Sequence, residues 1–281
     1  MNSPIAWIDH NGTLLPTGGP ILKATNRSFR YGDGLFETLL VQNGRIRLRN
    51  YHFARLFAGL EQLRFIIPSS FTRESLGAGI LQLCSKNTHA SLARVRLTVY
   101  RGDGALYDPG QLHYLIESSP LAPADIIPDT TGLTIGLYPD GLKSCDTLSN
   151  LKSNNFLLYA LAALYAKEHR FDDCLVLNTH GRLADSTIAN LFYLKDGQVY
   201  TPSLTEACVA GVMRRHLLST LPTAGFSVHE QPVTAEDLLS ADEVFLTNAV
   251  RGIRWVKTFR SSHYVGDLSR SVFNQLIKEA E

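Results

Sequence analysis

Seven short apolar runs, rich in β-branched or aromatic side chains, recur along this chain and limit the folds open to it. Most are bounded by Gly, Asn, Asp or Pro, which is the pattern of β-strands. The runs cover residues 36–41, 95–100, 114–116, 133–137, 174–177, 191–194 and 244–246. Helical stretches lie between them, over residues 50–64, 72–86, 154–169, 211–221 and 267–280. Because strands and helices do not alternate strictly, we expect an α+β fold rather than a doubly wound parallel sheet.

A proline-rich stretch near the middle of the chain predicts a domain boundary. Pro120, Pro123 and Pro128 lie within residues 118–131, where no periodicity is visible. Such a composition is typical of a connection between domains. A chain of 281 residues is long enough for two medium-sized domains. We therefore predict a small N-terminal domain over residues 1–120, a linker over 121–131 and a large C-terminal domain over 132–281.

The overall charge and the cysteines argue against several classes of partner. Lys plus Arg number 27 and Asp plus Glu number 26, so the net charge is +1. A field this weak favours neither nucleic acid nor an anionic membrane. The four cysteines are widely spaced, so we expect neither a disulfide framework nor a metal site. The first residues do not resemble a secretion signal and no long apolar run occurs, so we expect a cytoplasmic protein.

Lys152 is a candidate nucleophile or base. It precedes a helix whose residues 157–164 are apolar on nearly every side, which predicts a buried helix. Near low-dielectric surroundings the neutral form of an amine is favoured, and a neutral amine can attack a carbonyl or accept a proton. The alternative is a lysine that extends from a helix end into solvent.

Two short segments and one arginine could bind an anion. Residues 210–215 open an amphipathic helix through a small-residue turn, which leaves backbone N–H groups free. Residues 247–249 follow an apolar run and carry short polar side chains, and Arg55 could add a fixed cation. The alternative for residues 210–215 is a plain loop-to-helix junction. Residues 247–249 could simply form a turn, and Arg55 could be a surface arginine. The glycines of residues 32–34 imply a tight backbone path such as a hairpin turn.

Taken in order, these segments resemble the class IV aminotransferases, the fold-type IV group of pyridoxal-phosphate enzymes. The resemblance rests on Tyr-Gly-Asp-Gly-Leu-Phe-Glu-Thr at 31–38, His-x-x-Arg-Leu at 52–56, Lys152, Asn-Leu-Phe at 190–192, Gly-Val at 211–212, Ala-Asp-Glu-Val at 241–244 and Thr-Asn-Ala at 247–249. It runs from about residue 5 to residue 256. It implies a two-domain α+β fold, with a small α/β domain and a larger β-barrel-like domain with flanking helices.

The resemblance implies pyridoxal 5'-phosphate as cofactor and assigns the residues that hold it. Lys152 would form the Schiff base with the cofactor aldehyde and then shuttle a proton. Tyr31 would lie near the lysine and the phenolic oxygen of the cofactor. Asp185 stands where the family usually has Glu, opposite the pyridine nitrogen, and it is one methylene shorter, so a bridging water is one way to make the contact. The phosphate would be bound by Arg55, Val212, Met213, Thr247 and Asn248.

Several members of this family remain open as functions. The spacing in residues 152–156 is similar to that of D-amino-acid aminotransferases and aminodeoxychorismate lyases, so we expect amino transfer from a D-amino acid to a 2-oxo acid such as 2-oxoglutarate or pyruvate. One alternative is a lyase that produces 4-aminobenzoate and pyruvate. Thr38 and the loop that begins at Arg101 partly match it, and both residues are candidates for binding the substrate. A branched-chain aminotransferase and a cofactor-binding protein without catalysis are further alternatives.

Two arginines are candidates for binding the substrate carboxylate. Arg30 is expected on an active-site strand next to Tyr31, and Arg182 lies three residues before Asp185. A guanidinium can bind a carboxylate through two parallel hydrogen bonds. The alternative is a pair of surface arginines beside turns. The resemblance also implies a homodimer with its sites at the interface, in which Arg30 could serve the neighbouring subunit.

Overall fold

The computed structural model describes residues 6–127, 130–267 and Ser269. The chain divides into two compact units. Unit 1 holds the described residues up to Asp125 together with Lys152–Asn155, and unit 2 holds Ile126–Leu151 and the residues from Phe156 onward. Apart from residues 267 and 269, the helix predicted over 267–280 lies outside the described residues. Over the described part of the chain, no helix has the length and apolar character needed to cross a membrane.

Unit 1 is built on an antiparallel sheet of six strands, in the order β2-β1-β6-β5-β3-β4. The apolar runs predicted over 36–41, 95–100 and 114–116 lie inside its three long strands, so those predictions are confirmed. The strands are β1 (Trp7–His10), β2 (Thr13–Pro16), β3 (Gly34–Gln42), β4 (Arg45–Ile46), β5 (Leu92–Arg101) and β6 (Leu112–Pro120). Strands β3 and β5 pair along the whole of β3, from Gly34 opposite Tyr100 to Gln42 opposite Leu92.

Three helices belong to unit 1, namely α1 (Arg27–Tyr31), α2 (Arg49–Gln62) and α3 (Arg73–Lys86). Helix α3 begins where Thr72 and Ser75 form a reciprocal capping box, which satisfies N–H groups of the first turn. Helix α2 packs on β3, and α3 packs on β1 and β6. Their apolar stripes form a core with one face of the sheet, and the fully buried residues include Leu39, Phe53, Leu56, Leu60, Leu76, Ile80, Leu83 and Leu97.

The strand expected for Arg30 and Tyr31 is wrong, because both residues lie in the short helix α1. Asn26 caps this helix by accepting the N–H of Phe29, and Gly32 ends it with φ of +67°. A left-handed backbone of this kind favours glycine and stops a helix. The tight path predicted at residues 32–34 is therefore a helix end followed by the first residue of β3, rather than a hairpin turn.

Unit 2 is built on a mixed sheet in the order β12-β11-β10-β13-β14-β7-β8-β9, with β15 added beside β14. Four further predicted runs lie inside β7, β8, β10 and β13 and are confirmed. The strands are β7 (Leu133–Lys143), β8 (Asp173–Asn178), β9 (Leu183–Ser186), β10 (Asn190–Lys195), β11 (Gln198–Pro202), β12 (Val228–Gln231), β13 (Glu243–Asn248), β14 (Gly252–Phe259) and β15 (Ser262–His263). Irregular register in β7 and β14 helps this sheet to curl into a half-barrel.

The helices of unit 2 are α4 (Leu157–Glu168), α5 (Val212–Thr220) and α6 (Ala235–Leu239). The prediction that α4 is buried on nearly every side is wrong. Its Tyr159, Ala162 and Ala166 are buried and the helix packs on β7 and β8. A row of leucines on α4 remains exposed, with Leu157 at 67%, Leu161 at 43% and Leu164 at 57%. One apolar face of α4 is therefore not covered by the described residues.

A buried ion cluster joins α2 to β3 in unit 1. Arg55 donates to both carboxylate oxygens of Glu37, with 2.8 Å from Nε to Oε1, and His52 Nδ1 lies 2.6 Å from Oε2. Burial alone would raise the pKa of Glu37, but Arg55 and His52 outweigh it and lower that pKa to about 2. Burial lowers the pKa of His52, so its neutral ring donates to the carboxylate. The cluster fixes the guanidinium of Arg55.

We predict that Glu37→Gln lowers the free energy of unfolding at neutral pH and that this loss becomes smaller in acid. The folded-state pKa of Glu37 lies below the ordinary value of 4.5, so the contribution of the ionised carboxylate is fully present above that pH and is lost as the pH falls towards 2. The shift corresponds to about 3 kcal/mol at neutral pH. Urea unfolding should show the gap between wild type and variant narrowing below pH 4.5.

The exposed Glu61 on the same helix provides the control, because Glu61→Gln should leave the free energy of unfolding nearly unchanged at each pH. A gap between wild type and Glu37→Gln that stays constant over this pH range would contradict the prediction.

Candidate active site

Lys152 is held beside the first residues of β3 by backbone pairing. The N–H of Phe36 donates to the carbonyl of Lys152 and the N–H of Asn154 donates to the carbonyl of Gly34, both at 2.9 Å. A side chain at Gly34 would not fit, because its Cβ would lie 2.5 Å from the Val99 carbonyl oxygen and from Asn154 Nδ2. The lysine segment is therefore held against β3 by an isolated antiparallel bridge, in which Ser153 lies opposite Leu35.

The ammonium of Lys152 lies against an aromatic ring on one face of that sheet. Its Nζ is 4.5 Å from the centroid of Phe36, and the Arg96 guanidinium is 3.9 Å from the same centroid. Thr38 pairs with Arg96 in the β3–β5 register and lies two residues from Phe36, so it shares this face. One amine, one guanidinium and one hydroxyl are thus grouped around Phe36.

Sequence reasoning missed Arg96. Its signal was present, because strand β5 alternates between fully buried apolar residues and polar ones at Arg94, Arg96 and Thr98. Alternation predicts that these polar residues share one face, but it does not indicate which of the arginines is shielded. Arg96 is the partly buried one, and burial lowers the pKa of its guanidinium below its ordinary value.

The other predicted residues of unit 1 lie in different surroundings. Arg55 is bound to Glu37, whose carboxylate also accepts from His52. Tyr31 is 48% exposed at the end of α1. Arg30 is exposed and donates to the carbonyl of Ala24 at 2.8 Å. Arg101 pairs with Asp33 at 2.6 Å and also donates to nearby carbonyls, so it fastens the loop after β5.

In unit 2, the predicted phosphate-binding segments come together around Asn190. Helix α5 packs against β13, where Thr247 is paired with Asn190. Gly211 precedes α5 with no side-chain cap, and a Cβ at this position would lie 1.8 Å from Asn190 Oδ1. Close approach therefore requires glycine here and leaves first-turn N–H groups of α5, among them those of Val212 and Met213, without a side-chain acceptor.

Thr247 adds a polar group suited to this place. Its hydroxyl is buried and makes no hydrogen bond among the described residues. A buried hydroxyl without a partner is costly unless a ligand completes its bonding. Asn248 is used differently, since its side-chain oxygen accepts the N–H groups of Val250 and Arg251 and forms a turn. The hydroxyl and the helix N-terminus together fit a phosphate group.

Asp185 lies buried in unit 2 within a hydrogen-bonded cluster. Its carboxylate accepts the Val209 N–H at 2.8 Å and the Tyr159 hydroxyl at 2.9 and 3.0 Å, and Lys143 Nζ lies 3.4 Å away. Sequence reasoning singled out neither Lys143 nor Tyr159. These donors fix the position of the carboxylate. It can therefore act as a fixed negative charge.

Arg182 belongs to a separate ion pair of unit 2. Its Nε and Nη2 donate to the carboxylate of Glu206 at 2.6 and 2.9 Å, and Asn178 donates to that carboxylate at 2.8 Å. A guanidinium bound in this bidentate way has already satisfied the edge that recognises a carboxylate. Glu206 therefore competes directly with any acidic ligand for Arg182.

Comparison with known proteins gives the family. The description Amino-transferase class IV matches residues 34–259. Aminodeoxychorismate lyase of Vibrio harveyi is 32% identical over 81% of this chain and 83% of that protein. D-alanine aminotransferase of Bacillus licheniformis is 25% identical over 85% of this chain and 83% of that protein. The branched-chain aminotransferase of Thermoproteus uzoniensis, solved with norvaline, has a TM-score of 0.87 at 19% identity, covering 98% of this chain and 95% of that one.

These matches confirm the resemblance found in the motifs, because they extend across both units of the fold. They also confirm the α+β class, the enzymatic nature of the protein and its cofactor. The chain is a member of the class IV aminotransferases, the enzymes of this fold that use pyridoxal 5'-phosphate.

Proposed function

We propose that Lys152 carries the cofactor and moves a proton to and from the Cα atom of an amine-bearing substrate. The observation that carries this proposal is the grouping of Lys152, Arg96 and Thr38 around the ring of Phe36. When bound, the cofactor supplies an electron-withdrawing ring that stabilises negative charge at Cα. An amine released beside that carbon is a suitable general base and general acid. Phe36 shields it from water on one side.

The remaining cofactor contacts are proposed from the same motifs. Thr247, Asn248, Arg55 and the N–H groups of Val212 and Met213 would hold the phosphate. Support comes from the unpartnered Thr247 hydroxyl and the uncapped start of α5. Asp185 would face the pyridine nitrogen, and Tyr31 would face the phenolic oxygen.

The domain boundary at residues 121–131 also stays a proposal, and in the fold the two units divide between Asp125 and Ile126.

We propose Arg96 as the residue that binds a substrate carboxylate. Arg96 lies on the same sheet face as Lys152. By contrast, Arg182 is already hydrogen-bonded to the carboxylate of Glu206, and Arg30 donates to a backbone carbonyl. A partly buried guanidinium binds a carboxylate more strongly than an exposed one, because water competes less. The substrate is then an amino acid. D-amino acids are the first candidates, supported by the spacing of residues 152–156 and the D-alanine aminotransferase relative.

Aminodeoxychorismate lyase activity is the second candidate. The Vibrio harveyi relative with that name is 32% identical to this chain. Thr38 supports the same interpretation, since it presents a hydroxyl next to Arg96 on the face of Lys152. In such a reaction Lys152 would again move the proton. The chain would release pyruvate and 4-aminobenzoate, with no amino acceptor consumed.

We predict that borohydride reduction of the holoenzyme attaches a pyridoxyl group to Lys152 and to no other lysine. Peptide mapping by mass spectrometry identifies the modified residue. Lys152→Arg keeps the positive charge but cannot form the linkage, so it should lose the adduct and the visible absorbance of the bound cofactor. The exposed Lys167 on α4 provides the control, because Lys167→Arg should keep both. An adduct on another lysine would defeat the proposal.

One screen separates the candidate reactions. The holoenzyme is mixed with single D- or L-amino acids, including the branched-chain ones, and the absorbance of the bound cofactor is followed. A reversible change with D-amino acids supports the first candidate. Pyruvate released from aminodeoxychorismate without an amino acceptor, and lost in Thr38→Val, supports the second. The absence of any reaction with these amines would contradict both candidates.

We predict that Arg96→Gln raises the KM of the carboxylate substrate found in that screen by about 10- to 100-fold, because a charge-assisted hydrogen bond is lost. Arg94→Gln is the matched control, since Arg94 lies on the same strand face but is exposed. Arg30→Gln and Arg182→Gln should change KM less. If either of these two weakens binding while Arg96→Gln does not, the assignment to Arg96 is wrong.

We propose that the protein is a homodimer that covers the exposed leucine row of α4. Rows of exposed leucine on one helix face are typical of surfaces that another protein covers. Leu161→Glu should therefore shift sedimentation from dimer to monomer, whereas Ile66→Glu, at another exposed apolar residue, should not. A monomeric wild type, or a variant Leu161→Glu that stays dimeric, would contradict this.

A cytoplasmic location also remains proposed, supported by the four free thiols.

A further inference from the structure

A buried lysine in unit 2 has no role in the chemistry described so far. Lys143 is the last residue of β7, and its side chain is 10% exposed. Its Nζ lies 2.5 Å from the Tyr159 hydroxyl, 3.4 Å from Asp185 Oδ2 and 5.1 Å from the centre of the Tyr159 ring. An ammonium is costly to bury unless it is paired and hydrogen-bonded. Asp185 and Tyr159 provide both kinds of partner.

The direction of each hydrogen bond in this cluster follows from the donors available. An ammonium can only donate, and an ionised carboxylate can only accept. The single hydroxyl proton of Tyr159 therefore goes to Asp185, at 2.9 and 3.0 Å, while the hydroxyl oxygen accepts from Lys143. Burial, and next the charge of Asp185, raise the pKa of Tyr159 well above 10, so the phenol keeps its proton. Lys143 therefore donates a hydrogen bond to Tyr159, and Tyr159 donates one to Asp185.

The two oxygens of Asp185 are not equally occupied. Oδ2 receives the Val209 N–H, the Tyr159 hydroxyl and the Lys143 ammonium. Within the described part of the chain, Oδ1 receives the Tyr159 hydroxyl alone. A carboxylate has about four acceptor positions, so Oδ1 is the oxygen with capacity for one more donor.

Lys143 is the cation that offsets the charge of Asp185. Of the other titratable groups near the cluster, Cys208 is a neutral thiol because burial raises its pKa to about 12. Arg214 and Glu230, whose charges also act on Cys208, pair with each other at 2.5 Å. They therefore contribute little net charge, and the balance at Asp185 is set by Lys143.

We propose that Lys143, acting through Tyr159, is a positioning residue that fixes Asp185 and offsets its charge, so that the ring nitrogen of the bound cofactor holds its proton less tightly than it would opposite an unpaired carboxylate. This rests on the proposed assignment of Asp185 to the ring nitrogen. An anion facing a base favours the protonated base, and a cation 3.4 Å from that anion opposes the effect. Lys143 thereby tunes how strongly the ring withdraws electrons.

The test is a titration of the ring nitrogen itself. The holoenzyme is reconstituted with pyridoxal 5'-phosphate labelled with ¹⁵N in the ring, and the ¹⁵N chemical shift is followed against pH. In Lys143→Met the pH of half-protonation should rise by about one unit or more, because the carboxylate is no longer offset. Lys143→Arg keeps the charge and should titrate close to wild type. Asp185→Asn should lower the half-protonation pH.

Each outcome decides between the proposals. If Asp185→Asn does not move the titration, the assignment of Asp185 to the ring nitrogen is wrong and the role of Lys143 is wrong with it. If Asp185→Asn moves it but Lys143→Met does not, only the role of Lys143 is overturned. Thermal unfolding of the apoenzymes distinguishes the proposed role of Lys143 from a merely structural one. A merely structural role would lower the melting temperature of Lys143→Met without moving the titration.

A second variant covers the case in which Lys143→Met does not fold. Tyr159→Phe keeps the aromatic side chain, Lys143 and Asp185, but it removes the hydroxyl that is hydrogen-bonded to both of them. It should raise the half-protonation pH in the same direction, by a smaller amount, since the direct contact of Lys143 with Asp185 at 3.4 Å remains. A Tyr159→Phe titration that matches wild type would overturn the proposal.

Discussion

The pairing of Lys152 with the start of β3 is the contact on which the candidate chemistry depends. Two backbone hydrogen bonds hold the lysine segment against β3 of unit 1, although its neighbours in sequence on both sides belong to unit 2. Backbone pairing fixes the Cα position of the lysine, so the side chain has few directions left. The glycine at position 34 makes this approach possible, because any Cβ would meet backbone at 2.5 Å. A reactive amine is thus placed by main-chain geometry.

Buried carboxylates in both units are held in the same physical way. Glu37 is held by Arg55 and His52, and Asp185 is held by Lys143 and Tyr159. In each case a cation offsets the charge and a neutral group supplies a further hydrogen bond, as the cost of burying an ion requires. The two clusters differ in what they serve. The Glu37 cluster fixes an arginine, whereas the Asp185 cluster leaves one carboxylate oxygen with capacity for a ligand.

The arginines show why a residue type in a motif does not settle its role. Arg96, Arg101 and Arg182 are all able to bind a carboxylate, and the chain gives no local sign that tells them apart. Asp33 holds Arg101 and Glu206 holds Arg182, while Arg96 lies against Phe36. These acidic partners are distant in sequence, so only the fold could reveal which guanidinium lies at the same aromatic ring as the lysine. The sequence hypothesis favoured Arg30 and Arg182 because both flank motif residues.

The sequence by itself determined the α+β class, the seven strands with apolar runs and the start of α5, because these depend on local periodicity and on turn residues. Its ordered motifs also identified the family. The tertiary structure decided that residues 30–31 are helical, that one face of α4 is exposed, and that Lys143 and Tyr159 contact Asp185. Those outcomes depend on contacts between residues far apart in the chain, whose energies outweigh local preference and leave no periodic pattern in the sequence.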